Sequence, residues 1–247
     1  MSVIKHKSVF EKLELFNLIK HELPEVSVNS YRQAFELEYT HNSTAIEGNT
    51  LTLLETKVVL EEGLSVGGKH LRELYEVINH HKAYQYVKKC IADGHALNER
   101  IIKDIHSMLM ENIMVGGIYR NVDVYISGAQ HTPPSPSEMY TQIKNFYMDL
   151  NSKTFESPIE CAAWTHAEFV RIHPFVDGNG RTSRLIMNYQ LMVNGLLPIS
   201  IKKESRLEYF NVLELYAVKQ DLVQFESMIA DLEEEQLDKY LGMNRSK

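Results

Sequence analysis

His173, Asp177, Arg181 and Arg184 fall within twelve residues, with Gly178 and Gly180 between them. An imidazole can take a proton near neutral pH, its ordinary pKa being about 6.5. A carboxylate such as Asp177 supplies a hard oxygen that suits Mg2+ held mostly by phosphates and water. Two glycines flanking one residue can take φ > 0, so consecutive N–H groups can curl into a concave nest. The nest leads into a helix start, where free N–H groups and the macrodipole favour an anion. Arg181 and Arg184 are three apart and share one face of that helix. Two guanidiniums beside a nest suit a polyphosphate better than a single carboxylate.

Each feature alone has an ordinary structural explanation. A histidine that ends a helix before a proline is most often structural, and a lone Gly-x-Gly is usually a turn. Their combination in one short segment is hard to explain as packing. Gly178-Asn179-Gly180-Arg181-Thr182-Ser183 follows a helix and lacks both the third glycine of a dinucleotide fold and the lysine of a P-loop. No HExxH or comparable zinc spacing occurs among the 11 histidines.

The surrounding elements must position these groups. Ser157-Pro158 opens a helix carrying Ile159, Ala162, Ala163, His166, Phe169 and Val170 at helical spacing. Pro174 removes His173 from the right-handed α region, so that helix ends at the imidazole. A second helix begins near Arg181 and ends at Asn194-Gly195. Ser8-x-x-Glu11, Thr52-x-x-Glu55, Ser135-Pro136-x-Glu138 and Ser205-x-x-Glu208 read as further capping boxes. Helices are expected from about Leu71 to Ile91, after Asn98, and from Leu207 to Leu241. Ser30 can begin a helix that stops at Gly48, leaving Glu47 at the negative end, an unfavourable place for a carboxylate. A solvated glutamate is the ordinary reading there.

One segment departs from helical period. In Val122-Asp123-Val124-Tyr125-Ile126-Ser127 apolar residues alternate, between Gly117 and Gly128. A short strand or hairpin is expected, either an edge that covers the core or one to which another chain can add.

Composition bounds the rest. A length of 247 residues corresponds to about 1.6 domains. The balance of 44% hydrophobic and 24% charged residues is that of a globular chain. Lys plus Arg is 26 and Asp plus Glu is 33, a net charge of −7, which argues against a general nucleic-acid or acidic-membrane binder. Cys90 and Cys161 stand far apart, as in a reducing compartment. Met1–Lys7 lacks the apolar core of a signal peptide, and no run approaches a transmembrane span, so a cytoplasmic location is expected. The C-terminal stretch reads as a single acidic helical region, with no appended helix-turn-helix for DNA.

His173-Pro174-Phe175-Val176-Asp177-Gly178-Asn179-Gly180-Arg181-Thr182-Ser183-Arg184 resembles the signature of the Fic (Fido-domain) family, HxFx(D/E)GNGRxxR, at every defined position. The resemblance extends from about Asn42 to Leu213. It implies an all-α, Fic-type helical bundle with a short β-hairpin flap. An N-terminal helical region (1–95) would precede a catalytic core (96–205), with C-terminal helices (206–247) packing on it. It implies transfer of AMP from ATP, with Mg2+ or Mn2+, to a hydroxyl (Ser, Thr or Tyr) of a target protein, self-modification included. His173 would deprotonate that hydroxyl and Phe175 would anchor the loop. Asp177 would hold the metal. Gly178, Asn179, Gly180 and Arg181 would cradle the α- and β-phosphates, and Arg184 the γ-phosphate. The GNGR sequence differs from the lysine-containing variant of Doc-type kinases, which favours AMP transfer over phosphoryl transfer. Residues from about Ile118 to Ile126, with Val122 and Val124 between them, fit the family's target-binding flap. Tyr209 and Phe210 stand where the family often places an aromatic near adenine, and core packing explains them equally well.

Ser43-Thr44-Ala45-Ile46-Glu47-Gly48 also resembles the family's inhibitory motif, (S/T)xxxE(G/N). There the glutamate pairs with the second signature arginine, here Arg184, and ATP binds non-productively. Two alternatives share the site: a hydrolase that removes AMP with the help of Glu47, and a nucleotide-sensing interaction module. The intact His173 argues against the latter. A homo-oligomer is left open.

Overall fold

The computed structural model describes residues 6–244. The reading of the first residues as lacking a leader rests partly on Met1–Lys5, outside the described residues. Among the described residues ten α-helices follow in order: α1 (Lys7–Ile19), α2 (Glu25–Ile46), α3 (Leu53–Lys57, continued by a wider π-turn, Val58–Glu62), α4 (Leu71–Ala92), α5 (Glu99–Leu109), α6 (Pro136–Ser152), α7 (Pro158–Ile172), α8 (Asn179–Val193), α9 (Arg206–Lys219) and α10 (Val223–Asn244). No helix among the described residues is long and apolar enough to cross a membrane.

Helix α8 is the axis of the fold. Every residue from Arg181 to Leu191 is buried, polar and apolar alike, so over this stretch α8 has no solvent-facing side and is enclosed all round. α7 packs most extensively on it, and α2, α4 and α5 complete the enclosure. Ala162, Ala163 and Ala167 of α7 are fully or nearly fully buried; such small side chains let two helices approach closely. α1 packs on α10 at the periphery. One hydrophobic cluster runs from Val9 to Tyr240, through all three expected segments.

Several helix starts form as the sequence implies. Thr52 Oγ1 accepts from Glu55 N and the Glu55 carboxylate accepts from Thr52 N, a complete capping box. Asn98 Oδ1 accepts from Ile101 N at 3.1 Å, and Ser157 Oγ from Glu160 N at 3.1 Å. Others differ. α1 starts at Lys7 instead of after Ser8, and a 3-10 turn at Lys203–Ser205 precedes α9. α2 begins at Glu25, ahead of Ser30. The C-terminal stretch is two helices: Gln220 takes φ 57° and ends α9, and Asp221 Oδ1 accepts from Val223 N to start α10.

The hairpin does not form: among the described residues there is no β-strand. Residues 118–134 run as a loop in which a few backbone groups pair with side chains and none pairs with a strand. Gln130 N and His131 N both donate to Glu214 Oε1 at 2.8 Å. Val122 O and Pro134 O both accept from the Arg120 guanidinium. Alternation in sequence gives a strand only where a second strand completes the ladder, and Pro133-Pro134 cannot donate to one. Ile118 (65%), Val122 (51%) and Tyr125 (82%) remain exposed, while Val124 and Ile126 are half-buried.

Candidate active site

α7 ends as the histidine-proline pair demands. His173 caps it with φ 52°, a left-handed conformation unusual for a side-chain-bearing residue. The residue before a proline avoids the right-handed α region, and here it turns left-handed instead of extended. Arg120 holds the turn: its Nε donates to His173 O at 2.8 Å and its backbone N to Pro174 O at 2.9 Å. Arg120 is 1% exposed, so a buried cation with carbonyl partners ties the loop before α8 to the 118–134 segment.

His173 Nδ1 lies 3.2 Å from Val170 O. A carbonyl only accepts, so Nδ1 carries the hydrogen and Nε2 is the bare nitrogen. Burial pushes the imidazole down to about 4, against the Val170 hydrogen bond, and the positive charge of Arg120 adds to the depression. His173 is therefore neutral at pH 7, with a lone pair free to take a proton.

The loop between α7 and α8 is built from within. Phe175 is fully buried and stacks on His106 with ring centroids 3.6 Å apart. His106 Nδ1 accepts from Gly117 N at 2.8 Å, which assigns the ring hydrogen to Nε2, and that nitrogen lies 2.9 Å from Asp177 O. Asn179 is 1% exposed, and its side chain closes on Phe175: Oδ1 accepts from Phe175 N and Nδ2 donates to Phe175 O. The asparagine side chain thus shapes the loop, and its backbone belongs to the first turn of α8.

The two glycines have different duties. Gly178 takes φ 77° and precedes α8. Gly180 is helical, contrary to the expectation of a second positive φ. Its missing Cβ is required for another reason, because a methyl there would overlap Glu47 Oε1 and stand 3.1 Å from Glu47 Cδ and 3.2 Å from Arg184 Nη1. The carboxylate of Glu47 sits directly on the first turn of α8.

Glu47 follows the last residue of α2, and Gly48 (φ 102°) turns the chain away. The cost of a carboxylate at that helix end is offset by the opposite end of α8 and by Arg184, whose Nη2 donates to Glu47 Oε1 at 2.8 Å. Arg184 is 1% exposed; Nη2 also reaches Ser43 O at 2.7 Å, Nε reaches Ser43 Oγ at 2.9 Å, and Nη1 reaches Tyr209 Oη at 3.3 Å. Burial opposes its charge, yet Tyr209 and Glu47 more than offset that and raise its pKa. Tyr209 is likewise 1% exposed, so its hydroxyl meets the site through Arg184.

Arg181 is 2% exposed, and its Nε has no hydrogen-bond partner among the described residues. Asp177 Oδ1 accepts from Gly178 N at 2.6 Å and from Arg181 Nη2 at 3.4 Å, and Oδ2 accepts from Arg72 Nη2 at 2.5 Å. Burial raises the Asp177 pKa, but these cations and the N–H outweigh it and leave the group below the ordinary carboxylate range. Glu76 lies between the two arginines, 3.1 Å from Arg72 Nε and 3.5 Å from Arg181 Nη1. No group of three His, Cys, Asp or Glu side chains suited to a metal ion occurs among the described residues. One carboxylate oxygen fits a divalent ion only if phosphates and water supply the other ligands, and the orphaned Arg181 Nε suits such phosphates.

The fold therefore brings His173, Asp177, Gly178, Asn179, Gly180, Arg181, Arg184, Ser43, Glu47 and Tyr209 into one region. Ile118, Val122, Val124 and Ile126 lie on the loop that Arg120 ties to it. Sequence reasoning missed Arg120, His106 and Arg72. Each acts through a partner 53 to 105 residues away, and only a fold reveals such pairs.

A buried central helix that opens on a glycine turn, with two buried arginines in its first turns and a histidine before it, defines the class of helical fold. A profile of the Fic/DOC family matches residues 96–191. The curated relatives include proteins named protein adenylyltransferase Fic from Drosophila grimshawi and Drosophila virilis, 35% and 36% identical over 238 residues. Each alignment spans 95% of this chain and 48% of the relative, so the chain spans about half the length of the curated relatives it matches. Among solved structures, Fic-1 (aa134–508) from C. elegans aligns with a TM-score of 0.83 and 31% identity, covering 96% of this chain and 70% of that one. A Fic-domain-containing signaling protein from Bacteroides thetaiotaomicron shares the fold, with a TM-score of 0.87 over 98% of this chain and 97% of that chain at 24% identity. The chain belongs to the Fic/DOC family.

Proposed function

We propose that this protein is an adenylyltransferase that moves AMP from ATP onto a hydroxyl of a target protein. The observation that carries the reading is His173 at the end of α7, whose Nδ1 pairs with Val170 O and leaves Nε2 bare just before the turn into α8. In the reaction the target oxygen forms a bond to the α-phosphorus, the bond from that phosphorus to the bridging oxygen breaks, and pyrophosphate leaves. The hydroxyl proton goes to His173 Nε2. Asn179 and Gly180 offer their backbone N–H groups to the phosphates where Gly178 turns the chain into α8, and Arg181 offers its unpaired Nε. Arg184 takes the terminal phosphate once it is free. Asp177 would hold Mg2+ or Mn2+, which would neutralise charge on the phosphates. The 118–126 segment, extended and without a strand partner, offers its backbone to the target by strand addition. Self-modification at an exposed Ser, Thr or Tyr follows the same chemistry.

Glu47, with Ser43 positioning the same arginine, acts as a brake. While Arg184 is held by Glu47 it cannot hold the terminal phosphate, so bound ATP is misplaced. A few kcal/mol, the scale of a desolvated charge pair, represses transfer by roughly tens to thousands of fold. A second reading has one observation in its favour: the Glu47 carboxylate lies on the phosphate turn itself, where it can orient water for AMP removal.

The deciding experiment is intact mass after incubation with ATP and Mg2+ or Mn2+, with and without a lysate as target, for wild type, His173→Ala and Glu47→Gly. A gain of one AMP, greater in Glu47→Gly and absent in His173→Ala, supports transfer. AMP removal from a modified protein that is lost in Glu47→Gly supports the hydrolase. No covalent change in any variant sinks both.

A further inference from the structure

Behind the phosphate turn lies a polar pair that no step above uses. His166 of α7 is 0% exposed, and its Nε2 lies 2.7 Å from Tyr209 Oη of α9 and 3.1 Å from Ser183 Oγ of α8. Arg184 can only donate, so the Tyr209 oxygen accepts from Arg184 Nη1. With the Tyr209 hydrogen given to His166 Nε2, the histidine proton sits on Nδ1, a buried atom with no hydrogen-bond partner among the described residues. Ser183 Oγ in turn donates to Gly180 O at 2.8 Å. One buried nitrogen thus accepts from the hydroxyl that holds Arg184, while the neighbouring Ser183 hydroxyl gives its hydrogen to the carbonyl of the glycine under Glu47. The ring planes of His166 and Tyr209 stand at 75°, centroids 5.6 Å apart, so both rings are fixed by packing as well.

We propose that His166 and Tyr209 are positioning residues that hold the Arg184 guanidinium in place when Glu47 lets go, keeping it ready for the terminal phosphate of ATP. This rests on the adenylyltransferase reading for its substrate, but the positioning itself is a property of the chain. Of the partners of Arg184, Glu47 alone is withdrawn in the active state. Ser43 then holds Nε and one edge of Nη2, and without Tyr209 the Nη1 side is unrestrained. An untethered guanidinium buried in the fold would rotate and meet the phosphate less often. Burial keeps His166 well below its ordinary pKa, so it remains a neutral acceptor.

The test uses the full chain in a Glu47→Gly background, with Tyr209→Phe, His166→Leu and His166→Gln added singly. The glutamine oxygen can still accept from Tyr209, so His166→Gln is the rescue variant. Two readouts are taken: rotation of the Arg184 guanidinium by 15N NMR without nucleotide, and Kd for ATP and ADP by calorimetry with Mg2+. In Tyr209→Phe and His166→Leu the Nη signals should merge through faster rotation. Kd for ATP should rise about tenfold with Kd for ADP within about twofold. His166→Gln should resemble its parent in both. Unchanged guanidinium rotation in Tyr209→Phe and His166→Leu overturns the proposal, as does an equal loss for ATP and ADP. If the Glu47→Gly parent binds neither nucleotide while Tyr209→Phe still frees Arg184, the positioning stands and the adenylyltransferase reading falls.

Discussion

Glu47 Oε1 and Arg184 Nη2 meet at 2.8 Å although 137 residues separate them in the chain. The contact joins the C-terminal end of α2 to the first turns of α8, and it places a carboxylate on the glycine turn.

That geometry makes Gly180 and Glu47 energetically coupled. Gly180→Ala should destabilise the wild type by about 1–3 kcal/mol through overpacking against the Glu47 carboxylate. In a Glu47→Gly background the same substitution should cost little, since alanine is the better helix former. Urea unfolding of the four proteins measures the cycle. Equal costs in the two backgrounds would mean that Glu47 does not occupy the turn.

The acid limb of the activity profile should lie well below the ordinary imidazole range. kcat/KM reports the base of the free enzyme, and burial beside Arg120 holds His173 at about 4. Transfer by Glu47→Gly should persist at pH 5.5 and fall only nearer pH 4. A midpoint near 6.5 would show that the histidine is solvated in solution.

Arg72 and a divalent ion would compete for the same oxygen of Asp177. Arg72 is largely exposed, and exposed pairs are worth about 0–1 kcal/mol. Arg72→Ala should therefore tighten Mn2+ binding in the presence of ADP by a factor of about 2–5, read by calorimetric titration. Weaker binding would assign Arg72 to the nucleotide instead.

Glu233 on α10 gives a stability prediction remote from the site. It is 0% exposed; Oε1 accepts from Leu197 N at 2.7 Å, and Oε2 has no partner among the described residues. Burial pushes its pKa from 4.5 up to about 8. Between these values the unfolded chain has released the proton and the folded one retains it. Stability then falls as pH rises through that window, by at most about 1.4 kcal/mol per pH unit from this group. Glu233→Gln should remove this contribution. Unfolding free energies at pH 5, 6.5 and 8 test it, and parallel pH curves for the two proteins would contradict the assignment.

The helices and the glycine turn were legible because their causes are local. Pro174 ends α7 at His173, Asn98 and Ser157 cap their helices, and Gly178 needs its positive φ within one residue of where the pattern put it. The signature residues were legible together because they lie on one continuous stretch. The flap was misread for an equally physical reason. Alternation at Val122, Val124 and Ile126 describes an extended chain, but a strand also needs a ladder partner, and among the described residues none pairs with it. The break at Gln220 between α9 and α10 was missed because neither glycine nor proline marks it.

The sequence by itself determined which chemistry the molecule carries: an imidazole, a carboxylate, a glycine turn and two arginines in twelve residues, and a second motif ending in Glu47. Only the tertiary structure decided what each group faces. It buried α8 on every side, neutralised His173 by desolvation, gave Arg184 to Ser43, Glu47 and Tyr209, and made Gly180 a matter of space instead of backbone angle. Residue type and spacing set what a group can do within a turn or two of chain. Charge state, orientation and partner depend on what packs against it from distant parts of the chain.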